Sequence, residues 1–272
     1  MKKLAVLTIA GSDPSGGAGL QGDLKTFERH GVFGMGALTL LTVQDTRGVQ
    51  SVKFLDPEFV RAQIATVIQD IPPQAVKTGA LGSAEVIDVI AELAKGFAFP
   101  LVIDPVIAST NGVVFMDDDA KRMLVKKLMP HAAVIMPNMP EAELLSGRSV
   151  KSHDDFPEAA RAIADLGAKA VLIKGGHLEG EYSRDLLFWQ GRELWFSSEY
   201  FDTRHTHGTG CTYSAAVTVE LAKGQELAKA VENAKAYVTR AIRTGLDLGQ
   251  GHGPLNHGAI DRNSQEEAQR IR

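Results

Sequence analysis

Residues that could carry chemistry are concentrated in the segment THGTGCTYSAA, Thr206 to Ala216. Two glycines, Gly208 and Gly210, lead directly into an apolar-periodic stretch that predicts a helix. The backbone N–H groups of Thr209, Gly210 and Cys211 would then converge on one point, where the helix dipole favours an anion. Because glycine lets the backbone approach a ligand closely, the segment predicts a phosphate site.

Cys211 is the only cysteine of the chain. A thiol at the start of a helix is expected to have a lowered pKa, so that some thiolate exists near neutral pH. Two alternatives to a reactive thiolate stay open: an inert buried residue, and an acyl-transfer nucleophile paired with His205 or His207. No orienting acid or amide can be assigned for acyl transfer.

Four polar residues follow successive buried strands of a predicted parallel sheet. Asp104 closes PLVIDP, Asn138 and Glu141 follow AAVIMPN, and Lys174 follows AVLI. Ligands of open α/β sheets bind at these carboxyl ends. The three oxygen-bearing residues suit a water-rich Mg²⁺ site, and the lysine could neutralise phosphate oxygens. Together they predict phosphoryl transfer.

An earlier segment, SGGAGLQGD at Ser15 to Asp23, contains the pattern G-x-G-x-x-G. A dinucleotide fingerprint needs its glycines at the strand-to-helix turn, but six residues separate them from the strand that ends near Ala10. Asp23 would also repel phosphate. We interpret the segment as a substrate loop, with Asp23 and Gln44 hydrogen-bonding a heteroaromatic ring that carries an amino group. A nicotinamide-dependent oxidoreductase and a simple tight loop are the alternatives.

Apolar runs alternate with helical periods along the chain, which predicts a doubly wound α/β domain with a mostly parallel sheet. Apolar runs lie at 4–10, 37–43, 75–79, 100–105, 132–138 and 170–176. Predicted helices lie at 57–70, 84–96, 118–129, 154–167, 211–224 and 226–245. Two runs around Gln190-Gly191-Arg192 predict an antiparallel hairpin at the sheet edge. We expect one domain over residues 1–272, with a polar tail from about residue 249 and no separate lid segment.

Composition excludes several classes of protein. The net charge is −4, with 29 basic and 33 acidic residues, and no basic block suggests a nucleic-acid partner. A single cysteine cannot form an internal disulfide, which favours a reducing compartment. No apolar stretch reaches the roughly 18 residues that span a bilayer. We therefore expect a cytoplasmic enzyme without a membrane or nucleic-acid partner.

The eight histidines do not form a recognisable metal motif. His205 and His207 alternate, but no HExxH pattern or cysteine-rich set accompanies them, which argues against zinc. We interpret His131, His153 and His257 as ordinary surface residues.

Six segments together resemble the hydroxymethylpyrimidine and hydroxymethylpyrimidine phosphate kinases of thiamine biosynthesis, a branch of the ribokinase-like superfamily. They are LTIAGSDPSGGAGLQGDLKTF, VQDTRGVQSV, VIDPV, PNMPEAELL, VLIKGGHLEG and THGTGCTYSAA. The similarity extends from about Leu4 to His257, and pyridoxal kinases of the same branch share most of these segments. The resemblance implies a ribokinase-like three-layer α/β/α fold with a mostly parallel central sheet and an antiparallel edge hairpin.

The resemblance also implies an activity. The enzyme would use ATP and Mg²⁺ to phosphorylate the hydroxymethyl group of 4-amino-5-hydroxymethyl-2-methylpyrimidine, and then the resulting monophosphate. Pyridoxal kinase is the alternative within this branch, and a pyrimidine-binding protein without catalysis is the alternative outside it. By the same resemblance the protein would be a homodimer.

Site residues follow from the matching segments. The implied substrate pocket is formed by Gly11, Ala18, Asp23, Gln44 and Ala80. The implied anion hole is Gly208, Thr209, Gly210 and Cys211. The implied nucleotide contacts are Lys174, Thr206 and Thr209, and the implied metal-side acids are Asp104 and Glu141.

Most ribokinase relatives have an aspartate at the position of Cys211, whereas the pyrimidine-kinase branch has a cysteine there, as this chain does. The sequence departs from its relatives at two other positions. Many relatives have a methionine where this chain has Ala80, which predicts a roomier pocket. Thr110 occupies a position that is usually lysine, so a lysine contact from that loop is not expected.

Overall fold

The computed structural model describes residues 3–109, 111–176 and 180–259. The strands are β1 (Ala5–Ala10), β2 (Phe33–Leu38), β3 (Leu40–Asp45), β4 (Gly48–Phe54), β5 (Ala75–Thr78), β6 (Leu101–Ile103), β7 (Val134–Ile135), β8 (Ala170–Ile173), β9 (Tyr182–Trp189) and β10 (Arg192–Glu199). The helices are α1 (Gly19–Arg29), α2 (Pro57–Asp70), α3 (Ala84–Ala94), α4 (Asp118–Met123), α5 (Met139–Ser146), α6 (Phe156–Asp165), α7 (Thr209–Ala222) and α8 (Leu227–Arg243). A π-helical segment at Leu124–Leu128 and a 3-10 turn at Met129–His131 extend α4.

Eight strands form the central sheet, in the order β10-β9-β8-β7-β6-β5-β1-β2. The six neighbouring strands β2, β1, β5, β6, β7 and β8 are all parallel to one another. Strand β9 is antiparallel to both β8 and β10. Gln190 and Gly191 connect β9 to β10 with φ of 51° and 70°. Two consecutive positive φ angles are the mark of a type I′ hairpin turn, which Gly accepts readily. The predicted edge hairpin is confirmed.

Helices cover both faces of this sheet, which explains why its strands read as continuous apolar runs. Leu7 and Ile9 of β1 face a core shared with helices α2 to α6. Val6 faces the opposite side, where it packs with residues of α1 and α7. Successive side chains of a strand point to opposite faces, so all six residues of β1 are buried. The predicted three-layer α/β/α architecture is therefore confirmed.

The apolar run at 37–43 does not form one strand. It divides at Thr39: β2 ends in the central sheet at Leu38, and β3 pairs with β4 in a separate two-stranded antiparallel sheet. The sequence analysis did not predict this separate two-stranded sheet. An uninterrupted apolar run gives no sign of the bend, because both halves have residues that pack inward.

The chain after residue 249 packs closely as far as Ala259. Leu255 and His257 are buried, and the hydroxyl of Tyr237 donates to the carbonyl of His257. The interpretation of His257 as a surface residue was wrong, because the residue is buried. Burial also lowers the pKa of His257 to about 4. Residues 260–272 of the predicted tail lie outside the described residues. Among the described helices, none combines the length and the apolar character needed to cross a membrane.

Candidate active site

A cavity of about 510 Å³ opens at the carboxyl edge of the central sheet. It lies at the point where the strand order reverses, since β2 and β5 flank β1 on opposite sides. Crevices at such switch points are the usual ligand sites of open α/β sheets. The predicted site residues that line it are Gly11, Ala18, Gln44, Ala80, Asp104, Glu141, Lys174, Thr206, Gly208, Thr209, Gly210 and Cys211.

Gly208 begins helix α7 in the left-handed conformation, with φ of 84°. A side chain there would overlap the carbonyl oxygen of Gly17, so the position needs glycine for both conformation and space. The amide of Thr209 donates to the carbonyl of Thr206, 3.1 Å away, and is therefore not available to a phosphate. The first-turn amides of Gly210 and Cys211 have no carbonyl one turn earlier in α7, which leaves them for an anion.

Lys174 and Asp104 form a buried ion pair beside this loop. Lys174 Nζ lies 2.7 Å from Asp104 Oδ1, and the hydroxyl of Ser214 donates to Oδ2 at 2.9 Å. A Cβ at Gly210 would lie 3.3 Å from Lys174 Nζ, so the lysine is next to the glycine loop. Although burial opposes its charge, Asp104 and Glu141 raise the pKa of Lys174. The ammonium group thus stays charged at neutral pH.

Asn138 and Glu141 form the capping box of α5. The side chain of Asn138 accepts from the amide of Glu141 at 2.9 Å, and Glu141 Oε2 accepts from the amide of Asn138 at 2.8 Å. Glu141 Oε1 also accepts from the amide of Ile107 at 3.4 Å. Burial raises the pKa of Glu141, whereas Lys174 opposes that effect. The capping box explains the three-residue spacing, and the amide oxygen of Asn138 is used within it.

Asp104 and Glu141 could hold Mg²⁺ together with water and phosphate ligands. In the described part of the chain, no three His, Cys, Asp or Glu side chains are grouped as a direct metal site. Asp104 and Glu141 line the cavity, and each of their carboxylate oxygens has a lone pair beyond the bonds described. Because Mg²⁺ keeps several waters and needs only one or two protein carboxylates beside phosphates, these two residues suit it.

Cys211 lies on the cavity wall, where it is partly exposed. The backbone N–H of Gly19, the first residue of α1, favours the thiolate form of Cys211. Burial raises the pKa of the thiol to about 11, although Lys77 opposes the rise. The expectation of a lowered pKa was therefore wrong. The dipole of α7 and the N–H of Gly19 do not compensate for the loss of water around the sulfur and for the nearby carboxylates.

Asp23 does not line the cavity, although the sequence predicted it as a substrate contact. It is completely buried on α1, where it accepts from Thr8 Oγ1 at 2.6 Å and from Lys77 Nζ at 2.9 and 2.8 Å. Its carboxylate is thus held by an internal partner. Lys77 was missed, yet a lysine inside the buried strand AVKT was a usable signal, because lysine is seldom fully buried without a partner.

The loop between β1 and α1 is organised around Asp13, which the sequence analysis also missed. Its carboxylate accepts the amides of Ser15, Gly17 and Ala18 at 2.9, 3.1 and 2.8 Å. Nε2 of His207 lies 2.8 Å from the same carboxylate, so the pair joins the two glycine-containing loops. Burial alone would raise the pKa of Asp13, but the hydrogen bonds from His207 and Ser15 lower it to about 2.

The remaining predicted substrate contacts meet at one end of the cavity. Gln44 lies on the same face of β3 as Leu40 and Thr42, and all three line the cavity. Gly11 lies so close to Leu40 that a Cβ there would be 2.5 Å from Leu40 Cδ1. Ala80 follows β5 and accepts a hydrogen bond from Thr39 through its carbonyl. A polar amide thus faces an otherwise small and apolar space.

The loop after β6 lies against the β3–β4 hairpin. The side-chain amide of Asn111 donates to the carbonyl of Val49 and accepts from its amide, at 3.1 and 3.2 Å. The neighbouring Thr110, where the sequence departs from its relatives, lies outside the described residues. Phe115 and Val106 add apolar surface to the cavity wall on this side.

A helix N-terminus, a charged lysine and two carboxylates, grouped at the switch point of a three-layer α/β/α fold, define a small-molecule kinase. Comparison with known proteins specifies the class further. The chain belongs to the phosphomethylpyrimidine kinase family, which it matches over residues 13–256. The resemblance found in the sequence is thereby confirmed.

Individual relatives cover nearly the whole chain. The hydroxymethylpyrimidine/phosphomethylpyrimidine kinase of Bacillus subtilis (strain 168) is 44% identical over 260 residues, which is 95% of this chain and 96% of the relative. The pyridoxal kinase from Staphylococcus aureus in complex with AMP-PCP superposes with a TM-score of 0.89 at 37% identity, covering 96% of each chain. The phosphomethylpyrimidine kinase from Clostridium difficile 630 superposes with a TM-score of 0.76 at 43% identity, covering 88% of this chain and 100% of that one.

Proposed function

We propose that the protein transfers the γ-phosphoryl group of ATP to the hydroxymethyl group of 4-amino-5-hydroxymethyl-2-methylpyrimidine, and then to the monophosphate of that compound. The observation that carries the proposal is that two groups of residues line one cavity. The Gly210–Cys211 amides and Lys174 form one part of it, and Gly11, Gln44 and Ala80 form the other. A phosphate donor and a small polar ring can therefore occupy one space.

The pyrimidine end of the cavity suits an aminopyrimidine. The side-chain oxygen of Gln44 can accept from an exocyclic amino group, and its NH₂ group can donate to the adjacent ring nitrogen. Thr42 Oγ1, which donates to the carbonyl of Ser12 at 2.9 Å, lies 3.3 Å from Gln44 Oε1. Leu40, Val106 and Phe115 supply the apolar surface that a ring face requires. Asp23 has no part in this pocket.

The opposite end of the cavity suits ATP. Val238 and Ile242 of α8, together with Phe201, line it there and offer apolar surface to a nucleobase. The phosphates would lie between this surface and Lys174, with Thr206 and Thr209 at the edge of the loop. Mg²⁺ held by Asp104 and Glu141 through water would neutralise charge on the phosphates.

The side chains have separate tasks in the transfer. The substrate hydroxyl oxygen bonds to the γ-phosphorus while the bond from that phosphorus to ADP breaks. The amides of Gly210 and Cys211 and the ammonium group of Lys174 stabilise the charge on the moving phosphoryl group. Cys211, as its thiolate, takes the hydroxyl proton and becomes a thiol. Since its pKa is about 11, the thiolate is a minority form at neutral pH.

A homodimer in the cytoplasm belongs to the same proposal. Leu41 and Val43 of β3 lie on the face of the hairpin opposite Leu40 and Thr42, and they are 39% and 55% exposed. This apolar face of the hairpin would be covered by a second copy. The cytoplasm supplies ATP and keeps a lone cysteine reduced. A monomer mass in light scattering, unchanged by Val43→Asp, would contradict the dimer.

Release of ADP tests the activity. The purified protein is mixed with MgATP and, in parallel, with hydroxymethylpyrimidine, its monophosphate and pyridoxal. We expect the two pyrimidines to give higher kcat/KM than pyridoxal. Pyridoxal is the second candidate because solved structures of similar fold include pyridoxal kinases. A clear preference for pyridoxal would overturn the assignment, and tight pyrimidine binding without ADP release would indicate a binding protein.

Replacing Cys211 tests its role. A general base contributes roughly 10²–10⁴-fold in rate, so Cys211→Ala should lower kcat by about that factor while pyrimidine binding persists. Cys211→Asp should recover part of the loss, since a carboxylate is ionised at neutral pH. Turnover of Cys211→Ala within twofold of the unmodified enzyme would remove the thiol from the mechanism.

A further inference from the structure

The chain beyond helix α8 bonds to both ends of the catalytic cavity, although the proposed reaction gives it no task. Residues 249–257 are called the C-terminal strap below. The strap crosses the turn between β3 and β4. There the amide of His252 donates to the carbonyl oxygen of Thr46 at 2.8 Å, and the amide of Gly251 donates to the hydroxyl oxygen of Thr46 at 3.1 Å. The strap is therefore bonded to the tip of the β3–β4 hairpin.

The following residues of the strap bond to helix α7 and to the loop before it. The amide of His207 donates to the carbonyl oxygen of Gly253 at 3.1 Å, and His207 directly precedes Gly208, where the turn that suits an anion begins. Further along, His257 Nε2 lies 3.2 Å from the hydroxyl oxygen of Thr212 on α7. One short segment thus contacts the hairpin tip and the phosphate end of the cavity.

The strap is itself held firmly against helix α8. The hydroxyl of Tyr237 donates to the carbonyl of His257 at 2.7 Å, and the amide of Asn256 donates to the carbonyl of Ala241 at 3.0 Å. Leu255 is fully buried between these two bonds. Because closely packed segments have little room to yield, a displacement at one end of the strap is transmitted to the other.

The position of the hairpin tip matters for Gln44. At the base of the hairpin, the amide of Ser12 donates to the carbonyl of Leu40 at 2.9 Å, and at the tip Thr46 is bonded to the strap. Gln44 lies between these points, where the pairing register of β3 with β4 shifts after Val43. Such irregularities change the direction of a side chain. The orientation of the Gln44 side chain therefore depends on both attachments.

The contact between strap and hairpin is too close to allow independent movement. A Cβ at Gly251 would overlap the carbonyl oxygen of Thr46, which is a backbone atom and cannot rotate away. Gly251 is not among the glycines with a positive φ, so glycine is needed there for closeness and not for conformation. The strap and the hairpin tip therefore have to move together.

We infer that the C-terminal strap is a positioning element that couples the two ends of the cavity, so that a nucleotide which orders the α7 loop also orders the hairpin that carries Gln44. A ligand that restricts one element lowers the entropy cost of ordering a second element bonded to it. By linkage, a ligand at Gln44 must favour the nucleotide by the same factor. The identity of that ligand rests on the proposed function, whereas the coupling of loop and hairpin does not.

Hydrogen–deuterium exchange, with and without saturating MgAMP-PCP, tests the coupling in the absence of pyrimidine. The readout is exchange in peptides that cover the β3–β4 hairpin. We expect the nucleotide analogue to slow this exchange about tenfold in the unmodified protein, within the range usual for coupled sites. In Gly251→Ala, whose new methyl pushes the strap away from Thr46, we expect less than about a twofold change.

Gly258→Ala is the matched control. Gly258 directly follows the strap, and its new methyl would meet only the side-chain oxygen of Asn256, at 3.2 Å. The hairpin of this variant should be protected as in the unmodified protein. Equal protection of the hairpin in Gly251→Ala and the unmodified protein, or no protection in the unmodified protein, would overturn the inference.

Calorimetric titration measures the same coupling as an affinity. The Kd of hydroxymethylpyrimidine is determined with and without saturating MgAMP-PCP. We expect the analogue to tighten binding about tenfold in the unmodified protein and in Gly258→Ala, but less than about twofold in Gly251→Ala. A merely structural role of the strap would weaken pyrimidine binding in Gly251→Ala and leave the ratio of the two constants unchanged, which would contradict the inference.

A second variant keeps the test decisive if Gly251→Ala does not fold. Thr46→Val removes the hydroxyl that accepts from Gly251 and adds no bulk, so it should reduce the tenfold protection of the hairpin to about threefold. Full protection in Thr46→Val would also overturn the inference. If exchange follows the prediction but the pyrimidine does not bind, the coupling stands and the proposed substrate is what fails.

Discussion

The molecule contains two loops that look alike in sequence and differ in what they can bind. Both are rich in glycine, and each leads into a helix, α1 at Gly19 and α7 at Thr209. In the first loop, the carboxylate of Asp13 accepts the amides of Ser15, Gly17 and Ala18. In the described part of the second loop, no carboxylate accepts the amides of the first turn of α7.

The difference shows how an anion site is filled or left open. A helix N-terminus attracts negative charge in either loop. The first loop supplies that charge from its own Asp13. The amides of Ser15, Gly17 and Ala18 are therefore already bonded within the protein and are not available to a dinucleotide. The second loop has no such internal carboxylate, and Lys174 lies beside it.

Glycine at position 208 should be the most sensitive single residue. Gly208→Ala would force the first loop away, because the new methyl overlaps the carbonyl of Gly17. Since misplacement by about 1 Å can cost 100-fold, and loss of the anion site costs 100- to 1000-fold, we expect kcat/KM to fall about 1000-fold. Steady-state ADP release measures it.

Gly16→Ala is the matched control in the first loop. Gly16 has a similar φ of 79°, but its new methyl would meet only the end of the Lys25 side chain, 2.8 Å from Nζ. That flexible group can move, so we expect less than a tenfold loss. Equal losses in the two variants would show that the loops contribute alike to the site.

The two lysines beside these loops should differ in the same manner. Lys174→Met removes the ammonium group next to Gly210, and we expect kcat/KM for ATP to fall about 100-fold while pyrimidine affinity persists. Lys25→Met removes the lysine that donates to the carbonyl of Gly16 on the first loop. We expect no more than a twofold change there. Calorimetric titration of the pyrimidine checks that Lys174→Met still folds. A change of kcat/KM greater than twofold in Lys25→Met would contradict the comparison.

An internal carboxylate can be added to the second loop to imitate the first. Thr209→Asp places an acid in the first turn of α7, where it should stabilise the helix by about 0.5 kcal/mol. The same acid should repel phosphate and raise the KM for ATP about tenfold. Thr209→Asn is the neutral control of the same shape, and it should leave KM within threefold. An unchanged KM in Thr209→Asp would place the phosphates elsewhere.

The sequence predicted the elements around the two loops better than the contacts within them. Elements whose apolar residues follow one period, such as β1 and α7, were assigned correctly because burial on fixed faces determines the pattern. The bend at Thr39 was missed, since an apolar run continues through it. Asp23 was misassigned because spacing cannot show that Lys77, 54 residues away, is its partner. Pairings between distant residues depend on tertiary packing, which no local pattern contains.

The same limit explains the error at Cys211. Its place at a helix start was correctly predicted, and that feature alone lowers the pKa of a thiol. The opposing contribution comes from burial and from Asp23 and Asp104, which other elements bring to the sulfur. The sign of the shift was therefore decided by packing that the local sequence does not record.

Asp13→Asn should have a moderate effect on kcat/KM and a distinct effect on stability. The variant keeps the size of the side chain but weakens its bonds to the loop amides and to His207, so we expect about a tenfold loss of kcat/KM. In the folded protein the pKa of Asp13 is lowered from 3.8 to about 2. A lowered pKa means that the ionised carboxylate stabilises the fold, by about 2 kcal/mol above pH 4.

This contribution is complete above the unfolded-state pKa of 3.8 and disappears as the pH falls toward 2. Urea unfolding should therefore show the variant about 2 kcal/mol less stable than the original protein at pH 7, and the difference should shrink at pH 3. Asp45→Asn is the control, because Asp45 is paired with Arg47 on the surface, where water and salt screen the interaction. A stability difference at Asp13 that does not change with pH would mean that its charge is not what holds the first loop, and the contrast between the two loops would then rest on Gly208 alone.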